Sequence, residues 1–378
     1  MNSVVISATG LFTPSDSISN QELVESFNQY VENYNKTNKE AIEAGDKLAL
    51  APSSVAFIEK ASGIKSRFVL EKDNILDAQQ MAPNFTPRDD SEMSQMCEMG
   101  VAAATQALEN AQLSAEDIDL VIVAASNTER AYPAIAVELQ TALGCGGYAF
   151  DMNVACSSAT FGMKTAYDAI CAGTSRRVLV VNPEICSGHL NFKDRDCHFI
   201  FGDVCTATII ESKADAEARN LTDYYQISQF KLITQFSNNI RNNFGFLNRE
   251  ADEPQDLLFK QQGRKVFKEV IPMVVNLIQE VVESDAKSLP DIRTLWLHQA
   301  NINMNQLIAK KLLGQLPSPE QAPIVLDRYA NTSSAGSVIA FHKHRDHMAV
   351  GEYGVLCSFG AGYSAGAILL QKVKGVSG

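Results

Sequence analysis

The chain has 378 residues, 46% of them hydrophobic, and a formal net charge of −12 at pH 7. A chain of this length predicts roughly two domains, or one large fold built in two parts, and its composition excludes a disordered protein. The acidic balance argues against nonspecific binding to nucleic acids, and no apolar run approaches the roughly 18 residues of a membrane span.

The first residues, MNSVVISATGLFTPSD, contain a short apolar run with no basic segment before it. A signal peptide carries such a segment, so we interpret this run as a first strand followed by a turn, and we expect a cytoplasmic protein. Eight cysteines are spread along the chain without any CxxC pair. In that setting they are expected to be free thiols, with no metal site.

Two segments of the first half are interpreted as insertions on a repeated core, near residues 21–55 and 70–96. In QELVESFNQYVENYNK the apolar residues recur at helical spacing, which predicts a helix. The second segment, LEKDNILDAQQMAPNFTPRDDSEMSQM, is polar and contains prolines. We expect both to shape the entrance to the functional site.

The two halves of the chain contain an internal repeat of three segments in the same order. The pairs are DLVIVAAS with TLWLHQAN, CSSA with TSSA, and VLVVN with VLCSF, at offsets of 175, 176 and 177 residues. A nearly constant offset predicts a duplicated fold with halves 1–212 and 213–378. The charged segment ESKADAEARN, at 211–220, is the expected connection.

Each half alternates apolar strands with helices. The helices AIAVELQTALG and MNQLIAKKLLG both close on Leu-Gly, a signal for a helix C-terminus. This alternation predicts an α/β fold with mixed, mainly parallel sheets, and the continuous apolar runs are typical of strands covered on both faces.

Cys156 lies in DMNVACSSATFG, between a predicted strand and a helix rich in small residues. A single cysteine is more often a small buried residue than a nucleophile. At a helix N-terminus, however, the helix dipole and unpaired backbone N–H groups favour the thiolate, which predicts a reactive thiol near neutral pH.

His298 closes the apolar strand of LWLHQANINM, just before a helix. Strand ends in α/β sheets are where functional sites collect, although a buried structural histidine is the alternative. His342, His344 and His347 share the polar segment FHKHRDH, whose spacing permits metal ligation but favours a solvated helix face.

Asn331 opens NTSSAGS, where an asparagine commonly serves as a helix N-cap. In the repeat, however, it occupies the place of Ala155, directly beside the counterpart of Cys156. The duplication therefore predicts that Cys156, His298 and Asn331 converge on one centre.

A glycine-rich turn, SFGAGYSAG, follows a predicted strand of the second half. Such turns let backbone N–H groups approach a reacting atom. The N–H groups of Ala361 and Cys156 are the expected oxyanion hole. A phosphate-binding loop is the alternative, but neither GxxxxGK[ST] nor GxGxxG occurs here.

The segments VACSSATFG, HQANINM, ANTSSAGS and FGAGYSAG resemble, in order and spacing, the condensing enzymes of the thiolase superfamily. The resemblance is greatest to type III 3-oxoacyl-(acyl carrier protein) synthases. Further matches are SGIKSRF, AYPAIAVELQTALG, IFGDVCTATII and GRKVFKEV. The resemblance implies a thiolase-like, five-layered αβαβα fold and a homodimer.

The resemblance also implies a catalytic triad of Cys156, His298 and Asn331. Cys156 would take an acyl group from a thioester, most simply an acyl-CoA. His298 and Asn331 would stabilise the enolate that malonyl-(acyl carrier protein) forms on losing CO2. No cofactor is implied, because acyl-CoA and malonyl-(acyl carrier protein) act as substrates.

Further residues match positions that contact substrates in this family. Tyr132 matches the residue that a partner subunit sends into the acyl pocket, and the site lining is assigned to Phe267, Phe359 and Gly360. Phe57 and Arg195 match positions that contact CoA, but Phe57 and Ala61 stand where a Trp and an Arg often stack on adenine. The basic positions that dock acyl carrier protein are matched by Lys268, Lys310 and Lys311, whereas a third such position is Asn303.

The resemblance implies a decarboxylating condensing enzyme that starts or extends an acyl chain in fatty acid or related biosynthesis. One alternative is an acyltransferase of the same fold that forms no carbon–carbon bond. Another is a non-catalytic partner subunit that sets chain length. Such subunits usually lack the cysteine, so Cys156 argues against this reading.

Overall fold

The computed structural model describes residues 3–86, 88–221, 223–245 and 257–375, so Pro87 of the second insertion lies outside the described residues. The helices in these ranges are α1 (Asn20–Thr37), α2 (Lys39–Glu43), α3 (Val55–Ser62), α4 (Asp73–Leu76), α5 (Gln95–Ala111), α6 (Ile135–Leu143), α7 (Ser158–Cys171), α8 (Lys213–Ala218), α9 (Gly263–Glu283), α10 (Ile302–Leu313), α11 (Leu326–Tyr329) and α12 (Ala335–Lys343). The strands are β1 (Val4–Phe12), β2 (Asp16–Ser19), β3 (Ser66–Val69), β4 (Leu120–Ala124), β5 (Tyr148–Met152), β6 (Arg177–Glu184), β7 (Val204–Ser212), β8 (Asp223–Ser237), β9 (Ile240–Arg241), β10 (Lys260–Gln261), β11 (Ile292–Leu297), β12 (Tyr353–Gly360) and β13 (Gly362–Lys374).

The predicted repeat is visible in the order of the strands. The described residues form one nine-stranded sheet in the order β11-β12-β13-β8-β1-β7-β6-β4-β5. Outward from the central β1–β8 pair, β7, β6 and β4 of the first half match β13, β12 and β11 of the second. The pairs β4–β6 and β11–β12 are both parallel, and β6–β7 and β12–β13 are both antiparallel. The duplication predicted from the sequence is therefore confirmed.

The prediction that the strands are mainly parallel is wrong. Among the described strands of this sheet, five neighbouring pairs are antiparallel and three are parallel. The cause is the connections: a parallel pair needs a long crossover, whereas β12 and β13 are separated by the single residue Ala361.

Five layers follow from the way the apolar residues pack. The strands alternate their side chains, so that Val178 and Val180 of β6 point to the central core while Leu179 and Val181 point to an outer one. The central core contains α7 and α12 between the two halves of the sheet. Helices α5 and α6 cover one outer face, and α9 and α10 cover the other. The predicted αβαβα architecture is thus confirmed.

The central helix α7 is rich in small residues because the sheet approaches it closely. A methyl group on Gly162 would lie 2.9 Å from the Cβ of Ala124 in β4. On the opposite side, a methyl group on Gly366 of β13 would lie 2.3 Å from the hydroxyl of Thr160. Tight packing on both faces fixes α7, and with it the turn that carries Cys156.

The insertions form a separate cap beside the sheet. Helix α1 starts at a capping box formed by Ser19 and Glu22, and its buried face packs with α3 in a cluster that includes Phe199 and Phe201. The division of the chain near residue 212 stays a prediction; β7 ends there, and the charged connection contains α8. Among the described helices, none combines the length and hydropathy needed to cross a bilayer.

Candidate active site

Cys156 lies in a single 3-10 turn, Ala155–Ser157, between β5 and α7. Ala155 has a φ of +47°, a left-handed conformation that is uncommon for alanine. The turn is tied to β13 of the other half, because Ser157 donates to the carbonyl of Ser364 at 2.9 Å and Ser364 donates to the carbonyl of Val154 at 3.2 Å. The nucleophile predicted from the first half is therefore held by the second.

The turn between β12 and β13 lies directly against Cys156. A Cβ atom on Gly360 would lie 2.6 Å from the Cβ of Cys156 and 2.9 Å from its sulfur. The backbone N–H groups of Ala361 and of Cys156 itself hydrogen-bond to this sulfur. The segment SFGAGYSAG is thus a tight hairpin rather than a loop, and it brings the N–H of Ala361 to Cys156, whose own N–H is the other group predicted for the oxyanion hole.

This close approach makes Gly360 a sensitive position. In the Gly360→Ala variant the added methyl group displaces the Cys156 side chain, and we expect the rate of acyl transfer to the thiol to fall by about 10²-fold. Gly263→Ala is the matched control, because no atom lies within 4 Å of its added methyl group. Intact-protein mass spectrometry during reaction with an acyl-CoA measures both rates. Equal rates for the two variants would contradict the close approach.

The electrostatics of Cys156 differ from the sequence-based prediction. Burial raises the pKa of this thiol to about 11, and hydrogen bonds from Ser333, Ala361 and the Cys156 N–H oppose that effect only in part. The residue is half-buried as a whole, but its sulfur lies under the β12–β13 turn. The predicted thiolate at neutral pH is wrong, because desolvation outweighs the helix N-terminus two residues away.

A raised thiol pKa has a measurable consequence for alkylation. We expect the rate of Cys156 alkylation by iodoacetamide to keep rising from pH 7 to pH 10, by close to tenfold per pH unit, because the thiolate fraction keeps growing below the pKa. Peptide mapping at each pH gives the rate at this residue. A short peptide with one cysteine and both termini blocked is the reference, because its thiol has a pKa of about 8.5 and its rate levels off above about pH 9. A plateau at Cys156 near pH 7 would show a low pKa instead.

His298 lies at the end of β11, where the sequence placed it. Its backbone N–H donates to the carbonyl of Cys357 at 2.7 Å, and its ring meets the Phe359 ring edge-on with centroids 5.2 Å apart. Burial lowers the pKa of His298 to about 4, and a hydrogen bond with the Ser333 backbone opposes that effect in part. The imidazole is therefore neutral at physiological pH, and its buried Nδ1 has no hydrogen-bond partner.

Asn331 is not a helix N-cap, because α12 begins at Ala335. Its backbone pairs with the segment before β7, donating to the carbonyl of Ile200 at 2.9 Å. Its Oδ1 accepts the Ser333 N–H at 2.9 Å. Because that N–H can only donate, the amide orientation is fixed, and the two hydrogens of Nδ2 are available to a ligand.

Ser333 links the three predicted residues and was not singled out from the sequence. Its hydroxyl donates to the Cys156 sulfur at 3.5 Å, its N–H binds Asn331, and its backbone hydrogen-bonds to His298. Its φ of +48° turns the chain so that these groups face different partners. The signal in the sequence was its place in TSSA, one residue after the counterpart of Cys156.

Glu184 is a second residue that the sequence analysis missed. It ends β6, is almost fully buried, and accepts hydrogen bonds from Ser126 and Ser334. Burial raises its pKa to about 7. Its counterpart in the repeat is Ala361, at the offset of 177 residues that relates VLVVN to VLCSF, so the repeat could have identified the position.

The predicted lining residues separate into two groups. Phe359 is buried against His298, as expected of a residue that lines the site. Phe267 instead lies on the outer side of α9 with 36% of its surface exposed, and Tyr132 is 85% exposed. The single chain thus brings Phe359 and Gly360 to Cys156, whereas Tyr132 and Phe267 face outward.

The predicted substrate-docking residues lie on the surface. The guanidinium carbon of Arg195 stacks 4.0 Å from the centre of the Phe57 ring, and its Nε donates to the carbonyl of Pro52 at 2.7 Å. Lys268 on α9 and Lys310 and Lys311 on α10 are exposed, and these two helices pack together. The three lysines therefore share one outer layer of the fold.

The histidines of FHKHRDH do not form a solvated face. His342 hydrogen-bonds to the Thr9 hydroxyl at 2.8 Å, and His347 to that of Thr294 at 2.8 Å, so both anchor the end of α12 to strands. The described part of the chain contains no group of three or more His, Cys, Asp or Glu residues arranged to hold a metal ion. The eight cysteines are all free, as expected.

Comparison with known proteins agrees with this geometry. Two family profiles match, 3-oxoacyl-[acyl-carrier-protein] synthase III over residues 150–229 and the C-terminal part of the same family over 283–372. The crystal structure of 3-oxoacyl-[acyl-carrier-protein] synthase III from Aquifex aeolicus is similar with a TM-score of 0.75 and 23% identity, covering 97% of this chain and 99% of that one.

Curated relatives give the same family. Beta-ketodecanoyl-[acyl-carrier-protein] synthase of Pseudomonas aeruginosa is 59% identical over 353 residues, which cover 92% of this chain and all of that protein. Beta-ketoacyl-[acyl-carrier-protein] synthase III of Methylococcus capsulatus is 33% identical over 72% of this chain and 83% of that protein. The chain therefore belongs to the 3-oxoacyl-[acyl-carrier-protein] synthase III family of condensing enzymes.

Proposed function

We propose that this protein joins an acyl primer, carried by CoA, to malonyl-(acyl carrier protein) by decarboxylative condensation through an acyl group on Cys156. The observation that supports this most strongly is the convergence on one sulfur. Two backbone N–H groups hydrogen-bond to it, and Ser333 connects it to Asn331. This arrangement suits a reaction in which an acyl group is first transferred to the Cys156 sulfur and its carbonyl carbon is then attacked by a second substrate.

The first half-reaction is a thioester exchange. The Cys156 sulfur attacks the acyl carbonyl, and the N–H groups of Cys156 and Ala361 stabilise the negative charge that develops on oxygen. The exchange is proton-neutral overall, because the CoA thiolate that leaves takes up a proton when the thiol of Cys156 loses one. A thiol with a high pKa in the free protein is therefore compatible with catalysis.

The second half-reaction makes the carbon–carbon bond. The malonyl thioester loses CO2, and the charge moves to its carbonyl oxygen as an enolate. Neutral donors suit this step, because His298 and the Nδ2 of Asn331 stabilise the charge without delivering a proton to the carbanion. The carbanion attacks the acyl carbonyl, and the tetrahedral intermediate expels Cys156 to give a 3-oxoacyl thioester.

The length of the primer follows from the most similar relative reported above. A beta-ketodecanoyl product has ten carbons, and decarboxylated malonyl supplies two of them, so the primer of that enzyme has eight. The identity of 59% supports the same primer here. An octanoyl thioester is therefore the substrate we propose.

A panel of straight-chain acyl-CoA primers tests this function. With malonyl-(acyl carrier protein) as the second substrate, we expect kcat/KM for octanoyl-CoA to exceed that for butanoyl-CoA by about 10²-fold, since each buried methylene contributes about 0.8 kcal/mol. Product mass identifies the 3-oxoacyl chain. A preference for acetyl-CoA would overturn the primer assignment, and transfer without release of CO2 would favour the acyltransferase.

Surface features support the proposed partners. Arg195 and Phe57 offer a cationic and an aromatic group to CoA, and Lys268, Lys310 and Lys311 offer a basic surface to an acidic carrier protein. Tyr132, Val137 and Tyr148 expose apolar surface next to the edge strand β5, which supports a homodimer. We propose no cofactor beyond the substrates, and a cytoplasmic location.

A further inference from the structure

A buried carboxylate lies between the two turns that carry the catalytic groups. One Glu184 oxygen, Oε1, accepts the backbone N–H of Ser126 at 3.0 Å and that of Ser334 at 3.2 Å, together with the Ser334 hydroxyl. The other oxygen, Oε2, accepts the Ser126 hydroxyl at 2.5 Å and lies 3.8 Å from the sulfur of Cys186. Apart from the Cys186 thiol, four donors thus converge on one side chain from two separate segments, at Ser126 and at Ser334.

One of these segments leads to the nucleophile. The carbonyl of Ser126 accepts the side-chain amide of Asn153 at 2.7 Å, and the Oδ1 of Asn153 accepts the N–H of Ala155 at 2.8 Å. Ala155 is the left-handed residue directly before Cys156. The Ser126 side of Glu184 is therefore connected to the turn that sets the Cys156 backbone.

The other segment leads to the donors for the enolate. Ser334 follows Ser333, whose N–H fixes the amide of Asn331 and whose hydroxyl reaches Cys156. The Ser334 hydroxyl also approaches the carbonyl of Ala124 at 3.3 Å, so this segment is held against the end of β4. A shift of Ser334 would move Ser333 and Asn331 with it.

Resting on the proposed function, we infer that Glu184 is a positioning residue that sets the distance between the Cys156 turn and the Asn331–Ser333 turn. The backbone N–H groups of Ser126 and Ser334 can only donate, and both bind Oε1. A side chain of the same length that keeps an acceptor oxygen at the Oε1 position is therefore sufficient to hold the two turns at their distance. The raised pKa of Glu184 agrees with this, because a protonated Oε2 can donate to the Ser126 hydroxyl while Oε1 keeps both N–H groups.

Length and charge are separated by two substitutions. Glu184→Gln keeps the length and the acceptor at Oε1, and its new amide donates to the Ser126 hydroxyl, so we expect kcat within about threefold of the wild type. Glu184→Asp keeps the charge but is one methylene shorter and cannot reach both turns. We expect its kcat for condensation to fall by about 10²-fold, with KM for octanoyl-CoA changed by less than threefold.

Glu211 supplies the matched control. It is buried at the opposite end of the β6–β7 pair and binds Arg177 and Arg219, away from both catalytic turns. Glu211→Asp and Glu211→Gln therefore change stability with little effect on kcat of the folded protein. Thermal unfolding of all four variants separates lost folding from lost positioning.

The order of the two Glu184 variants decides the inference. Glu184→Gln active and Glu184→Asp impaired is the expected result. If Glu184→Asp were active and Glu184→Gln impaired, the charge of Glu184 would matter rather than its length. If the two variants had equal kcat, the length of the side chain would not be the deciding property. Either result overturns the inference. The proposed function is tested separately by intact-protein mass spectrometry of the wild type with octanoyl-CoA. If no acyl group formed on Cys156, the proposed function itself would be overturned.

Discussion

We expect the Cys156→Ala variant to take up no acyl group from octanoyl-CoA and to lose condensation by about 10⁴-fold or more, because the substitution removes the thiol that carries the acyl group in the proposed mechanism. Its release of CO2 from malonyl-(acyl carrier protein) should persist, since His298 and Asn331, the donors that we propose for the enolate, are unchanged in this variant. Intact-mass spectrometry and a CO2 assay measure the two steps independently.

Cys171→Ala is the control for this substitution. Cys171 is exposed at the end of α7, the helix that follows the nucleophile, so its loss removes a thiol without touching the site. We expect wild-type acylation from this variant. If the acyl adduct persisted in Cys156→Ala but disappeared in Cys171→Ala, the nucleophile would be Cys171, and our assignment of Cys156 would be wrong.

The Asn331→Asp variant should separate the two half-reactions in the opposite way to Cys156→Ala, with acylation of Cys156 retained and release of CO2 lost. The carboxylate keeps an oxygen for the Ser333 N–H but replaces the Nδ2 donor with a second oxygen, which repels the enolate. We expect condensation and CO2 release to fall by about 10³-fold, and acylation of Cys156 to stay within about tenfold of the wild type. Single-turnover measurements with each substrate give both rates.

Asn33→Asp is the matched control for that exchange. Asn33 is exposed in α1, where its Oδ1 accepts the side-chain amide of Gln29 at 3.1 Å, so the same change of amide to carboxylate occurs outside the site and away from the proposed docking lysines. Its two half-reactions should match those of the wild type. If Asn331→Asp released CO2 as fast as Asn33→Asp does, Asn331 would not be a donor to the enolate.

The location of the site could be predicted from the sequence because the chain is duplicated. Cys156 alone resembled an ordinary buried cysteine, but its counterpart at a constant offset placed Asn331 beside it. The strand LWLHQAN placed His298 at the matching strand end. The fold class followed from the same repeat, since β4, β6 and β7 reappear as β11, β12 and β13.

Strand direction and electrostatics depended on details that the pattern of residues does not contain. A single residue between β12 and β13 enforces an antiparallel pair, whereas the sequence suggested a glycine-rich loop. For Cys156, the helix N-terminus and burial act in opposite directions on the pKa. Only the packing of the β12–β13 turn over the sulfur shows that burial is the larger effect.

The polar network around the triad could not be predicted for a related reason. Ser333 acts through a left-handed backbone conformation, and Glu184 through two backbone N–H groups from distant segments. Both contributions depend on main-chain geometry, which cannot be predicted from the presence of a serine or a glutamate in the sequence. The insertion near residues 70–96 similarly gave no information about the primer, and our proposal of an octanoyl primer rests on the similarity to a beta-ketodecanoyl-[acyl-carrier-protein] synthase.

The most direct test of the central claim is a single-turnover experiment on the wild-type protein with octanoyl-CoA followed by malonyl-(acyl carrier protein). We predict an octanoyl group on Cys156 by peptide mapping, which disappears after the second substrate is added as 3-oxodecanoyl-(acyl carrier protein) and CO2 form in equal amounts. An octanoyl group on another residue, or its transfer to the carrier protein unchanged and without CO2, would contradict condensation at Cys156.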